Sequence, residues 1–166
     1  MRTALVLSAA LLAGSAGADA QRHRCTHVSG GFRACTTFVK AGETSAIYRR
    51  AGGGWVKLRG GLPHRPGWWR RVVASPDRRT LLAQWSGECE LQSTYFVSGS
   101  GGGVRPIFRG HVSTIAGWTH PGFARVRLGE AIWRGGAMVN RPGVYLVNPK
   151  TMAVRLQREK PAQPGC

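Results

Sequence analysis

Three stretches of this 166-residue chain share one shape: a short strand-like run, a tight turn and a second strand-like run. Ala46-Ile47-Tyr48-Arg49-Arg50-Ala51-Gly52-Gly53-Gly54-Trp55-Val56-Lys57-Leu58 is the first. Tyr95-Phe96-Val97-Ser98-Gly99-Ser100-Gly101-Gly102-Gly103-Val104-Arg105-Pro106-Ile107 is the second. Tyr145-Leu146-Val147-Asn148-Pro149-Lys150-Thr151-Met152-Ala153-Val154-Arg155-Leu156 is the third. The copies begin 49 and then 50 residues apart. Recurrence at such a period marks a chain built from like units, each burying its apolar face on its neighbour. Every copy ends with apolar residues alternating with basic or polar ones, the pattern of a half-exposed strand.

A second hairpin supports the period. Val72-Val73 and Leu81-Leu82-Ala83-Gln84-Trp85 flank Ala74-Ser75-Pro76-Asp77-Arg78-Arg79-Thr80. Pro76 presets φ for the second position of a type I turn, and the Asp77 carboxylate can fold back onto nearby backbone N–H groups. Ala116–Val126 repeats this hairpin loosely, keeping Pro121-Gly122 without the aspartate. Cys25–Val39 is its degenerate first copy. Each unit then reads as four short strands, in the middle unit about Arg71–Ala74, Leu81–Trp85, Thr94–Val97 and Val104–Phe108. Helical periodicity is nearly absent, and Gly and Pro punctuate the chain. The expected fold is all-β, with about three four-stranded antiparallel units at residues 22–60, 68–109 and 112–158. A two-sheet β-sandwich is the alternative. Leu62–Gly67 reads as a linker, Gly129–Pro142 as a longer loop carrying Trp133, Met138 and Asn140, and 161–166 as a tail.

The Ser75-Pro76-Asp77 hairpin followed by the aromatic strand Tyr95-Phe96-Val97 resembles the blades of TolB-like, WD-type β-propellers. Val144–Thr151 is similar to the outer hairpin of such a blade. The usual glycine after the aspartate is Arg78 here. The resemblance implies a partial propeller of about three blades within residues 21–160. Closed propellers use 4–8 blades. It also implies either open edges or a homodimer that closes the ring. Exposed edges need protection, which arginine-bearing strands could supply.

Residues 1–20 read as a signal peptide: a positive start at Arg2, an apolar run from Ala4 to Ala13, and a small-x-small site at Ala18-Asp19-Ala20. The chain is expected to be secreted, extracellular or periplasmic, with no transmembrane segment. The remaining cysteines are Cys25, Cys35, Cys89 and Cys166. An even number in an exported chain suggests disulfides, with three possible connectivities. Cys25 and Cys35 flank Ser29-Gly30-Gly31 and could face each other across a hairpin, leaving Cys89 for Cys166. The net charge is +17, and most of the basic residues are arginines spread along the chain. That charge implies salt-sensitive attraction to polyanions, or only solvated strand exteriors.

No catalytic set emerges. The acids after residue 20 are Glu43, Asp77, Glu88, Glu90, Glu130 and Glu159. Glu88 and Glu90 lie too close on one strand to face each other across a cleft. No serine sits in a Gly-x-Ser-x-Gly elbow. His23-Arg24-Cys25-Thr26-His27 has a metal-like spacing, but a disulfide would consume the thiolate, so no metal or cofactor is expected. Trp68-Trp69 beside Arg70-Arg71 is the best patch for stacking on a sugar or base with charge nearby. The expected function is a non-enzymatic binding or scaffold module for a protein or cell-envelope partner. The alternative is a polyanion or carbohydrate binder using surface Arg and Trp.

Overall fold

A computed structural model describes residues 22–39, 42–62, 65–87, 92–120 and 122–163. The expected signal peptide, Glu88, Glu90, Cys89 and Cys166 lie outside them, and with them the suggested Cys89–Cys166 bridge. The described residues form strands and no helix: β1 (Arg22–Ser29), β2 (Phe32–Val39), β3 (Gly42–Ala51), β4 (Gly54–Arg59), β5 (Trp68–Ala74), β6 (Thr80–Ser86), β7 (Gln92–Ser98), β8 (Val104–Ile107), β9 (Ser113–Trp118), β10 (Ala124–Leu128), β11 (Ile132–Arg134), β12 (Ala137–Asn140), β13 (Gly143–Val147) and β14 (Val154–Glu159).

They make three four-stranded antiparallel sheets, ordered β1-β2-β3-β4, β5-β6-β7-β8 and β9-β10-β13-β14. Three four-stranded sheets are present rather than the two sheets of a sandwich. The three recurring stretches of the sequence become the third and fourth strands of each sheet: β3–β4, β7–β8 and β13–β14. The Pro76-Asp77 hairpin joins β5 to β6, the first two strands of the second sheet.

The third sheet departs from expectation. The stretch Gly129–Pro142, expected as a loop, contains a separate hairpin, β11–β12, inserted between β10 and β13. Gly135 and Gly136 close it with φ of 55° and 80°, and the glycine pairs of the β1–β2 and β3–β4 turns have the same signs. Left-handed φ at both central residues gives a turn whose twist matches that of the flanking strands. Two glycines between strand-forming residues were therefore a hairpin signal that a loop assignment passed over.

The sheets stack face to face. Phe32, Ala34 and Ile47 of the first sheet pack with Trp69, Val72, Leu81, Ala83, Trp85, Tyr95 and Val97 of the second. Leu82, Phe96 and Ile107 point the other way, against Ile115, Ala124, Val126, Leu128, Tyr145 and Val147 of the third. This explains why Leu81-Leu82-Ala83 is a continuous apolar run. β6 lies within the middle layer, and Leu81 to Ser86 are all buried. By contrast β14 is exposed throughout. Serine hydroxyls stitch the layers. Ser45 Oγ accepts from the Trp69 backbone N–H (2.8 Å), and Ser113 Oγ accepts from that of Thr94 (3.0 Å). Each bond satisfies a polar group that burial would otherwise orphan.

The turn at Pro76 forms as its residues dictate. The Arg78 N–H bonds the Ser75 carbonyl at 2.9 Å. Asp77 Oδ1 accepts from the Ser75 hydroxyl (2.6 Å) and the Arg79 N–H (3.1 Å). Those bonds, that from Ser75 first, hold the Asp77 carboxyl below the usual carboxylate range. Arg78 has φ of 58°, the left-handed value that glycine would adopt without cost. Cys25 and Cys35 oppose each other on β1 and β2 and form a disulfide. The sulfur of Cys25 is thereby removed from any metal site with His23 and His27, whose side chains lie outside the described ones. Among the described residues no helix is long and apolar enough to cross a membrane.

Candidate anion-binding cleft

Where β4 ends and the chain crosses to β5, two arginines are left over one rim of the second sheet. Arg59 is the last residue of β4, and Arg65 lies in the crossing segment. Arg109 meets them from the loop after β8. With Leu62, Ser93, Tyr95, Val104, Pro106, Ile107, Phe108 and Gly110 they line a cleft of about 270 Å³. Its floor is apolar because β7 and β8 turn core residues toward it. Its polar lining consists of three guanidinium groups, two hydroxyls and backbone.

Arg65 donates an N–H to the Tyr95 hydroxyl at 2.9 Å. Tyr95 is itself fixed, its ring edge-on to Trp69 with centroids 5.8 Å apart. A hydroxyl that accepts from arginine keeps its own proton to donate. Arg59 reaches the Gly102 carbonyl at 3.4 Å, while its Nε is buried with no partner among the described residues. Among the described residues no carboxylate lines the cleft. The three described carboxylate side chains are engaged elsewhere: Asp77 in its turn, Glu130 with His111 and Val112, Glu159 with Arg141. The cleft therefore gathers three arginines among its lining residues with no described carboxylate beside them. Such a set suits a phosphate, sulfate or carboxylate group.

The Trp68–Arg71 patch expected from the sequence divides. Trp69 is fully buried, edge-on to Trp85 with centroids 4.9 Å apart, and its indole N–H donates to the Gly60 carbonyl at 2.9 Å. It belongs to the core and is not available for stacking on a ligand. Adjacent strand residues face opposite sides, so Trp69 turns inward where Trp68 does not, and a bulge at Arg70 then brings Val72 rather than Arg71 onto the same buried face. Trp68 is half-buried, and Arg70 and Arg71 are exposed. Arg71 donates to the Ile115 carbonyl of the third sheet at 3.4 Å. Pro76 and Asp77 serve the turn and face no cleft.

Further arginines cover the outer faces of the stack. On the first sheet the Arg33 guanidinium lies 4.2 Å from the Trp55 ring centroid and 5.5 Å from that of Tyr48. On the third, Arg125 and Arg127 alternate with buried Ala124, Val126 and Leu128 and so point away from the core. Sequence reading missed the cleft because Arg109 lies far along the chain from Arg59 and Arg65, and only the stacking of sheets brings it to them. A comparison with known proteins finds no matching family model, no matching curated protein and no matching solved structure.

Proposed function

We propose that this chain is an exported, non-enzymatic binding module that recognises an anionic component of the cell envelope through the Arg59–Arg65–Arg109 cleft. Its three sheets act as blade-like units of an open, partial propeller, a rigid frame for loops at the sheet ends. The recurrence of the third-to-fourth strand hairpin and the face-to-face stacking of consecutive sheets support the blade reading. The observation that carries the functional reading is the cleft itself: Arg59, Arg65 and Arg109 line it, Arg65 bonds the Tyr95 hydroxyl, and no described acid is in the lining. Arginine presents a planar fork that matches the oxygens of such an anion, and the net charge of +17 draws it in from a distance.

The test is elution from immobilised heparin. Parent protein is retained at low salt. Arg65→Ala with Arg109→Ala elutes at clearly lower salt than Arg49→Ala with Arg50→Ala, which removes the same charge from an exposed strand of the first sheet. Equal elution of the two double variants would defeat the cleft as the binding site.

A further inference from the structure

The β11–β12 hairpin has no place in any of the three sheets, and residues 133–139 are all exposed. Trp133 is 58% exposed, Met138 45% and Val139 48%. Only three other large hydrophobic residues are exposed among the described ones, and none of those is an aromatic. Trp133 and Met138 are directly paired across the hairpin, so their side chains share one face. An exposed cluster of this kind marks a contact with something else.

The base of the hairpin is held firmly. Ile132 is buried in the core between the second and third sheets. Glu130 accepts from the Val112 N–H at 2.8 Å. The Tyr145 hydroxyl donates to the Arg141 carbonyl at 2.7 Å, fixing the exit from β12. A fixed stem that holds an exposed Trp133–Met138 face just below its turn is suited to insertion rather than to folding back on its own sheet.

We infer that this hairpin inserts Trp133, Met138 and Val139 into the surface of an anionic lipid bilayer. The choice of a bilayer rests on charge and shape. The hairpin carries Arg134 and no acid. The sheet from which it springs bears Arg125, Arg127, Arg155 and Arg158 against one acid, Glu159, which Arg141 engages. An exposed apolar face on a hairpin that carries Arg134, in a strongly cationic chain, complements a surface that is anionic outside and apolar beneath. Tryptophan is suited to that boundary, with an apolar ring and an N–H for the headgroup region. Glu130 also ties the hairpin stem to the loop carrying Arg109, so the tip and the cleft belong to neighbouring parts of the molecule. The inference does not require the cleft to bind.

The test uses the full chain and vesicles of phosphatidylglycerol with phosphatidylcholine whose acyl chains are brominated. Parent protein should show tryptophan quenching by the bromines, and Trp133→Phe should lose most of it while still binding. Trp133→Ala with Met138→Ala, which leaves every charge in place, should weaken partitioning at least about tenfold. Both positions are exposed, so the fold persists in these variants, and Trp133→Phe keeps a ring in place. Unchanged quenching in Trp133→Phe, or unchanged partitioning of the double alanine variant, would overturn the inference and mark vesicle binding as adsorption by charge. The Arg65→Ala, Arg109→Ala variant separates the two ideas. Loss of heparin retention with quenching intact speaks to the cleft alone.

Discussion

The hydroxyl of Ser75 donates to the Asp77 carboxylate at 2.6 Å, while its oxygen accepts the Thr80 N–H at 3.0 Å. One side chain thus closes both ends of the turn between β5 and β6. The arrangement favours the ionised form of Asp77, whose charged oxygen accepts both bonds more strongly than a neutral carboxyl would. Because the Ser75 and Arg79 bonds depress the folded-state pKa of Asp77, its contribution is present above the ordinary carboxylate range and fades as pH falls through the folded value. Asp77→Asn should therefore lower stability near neutral pH, with the gap to the parent narrowing in acid. Thermal unfolding monitored by circular dichroism across that range checks it. A gap that widens in acid would contradict the sign.

Neighbouring tryptophans should behave very differently. Trp69 lies among Trp85, Tyr95 and Ile47 with no exposed surface, whereas Trp68 is only half-buried. Trp69→Ala leaves a large cavity and an orphaned Gly60 carbonyl, so it should cost about 3–5 kcal/mol. Trp68→Ala should cost under about 1.5 kcal/mol. Denaturant titration of both variants separates them, and equal losses would contradict the packing described.

Ring closure by a second copy would press the outer face of the third sheet against that of the first. The former bears Arg125 and Arg127, the latter Arg33, Arg50 and Lys57. Like charges opposed across an interface cost several kcal/mol. The chain alone should therefore be a monomer by light scattering at low salt, and a dimer there would contradict the charge argument.

Local chemistry made much of the architecture legible. Period-two alternation in β10 and β13, the glycine pairs and the Pro76-Asp77 turn each act over a few residues, so strands and hairpins could be read directly. Even Arg78 fits this account, since its φ of 58° is the value expected at a position where glycine is usual. The same local reading failed at Gly129–Pro142, where Gly135-Gly136 closes a hairpin. It left Trp68 and Trp69 open between a stacking patch and packing between units, and only the contact with the first sheet decides that Trp69 is core.

Neighbouring residues and backbone sterics account for the all-β character, the four-strand units and their spacing, because those causes lie within a few residues of each effect. Contacts between sheets decided the rest. They buried Trp69, gave β6 two apolar faces, joined Arg59, Arg65 and Arg109 around Tyr95, and left Trp133 with Met138 in solvent. Each of these depends on groups far apart in the chain, and their meeting is governed by how the layers stack.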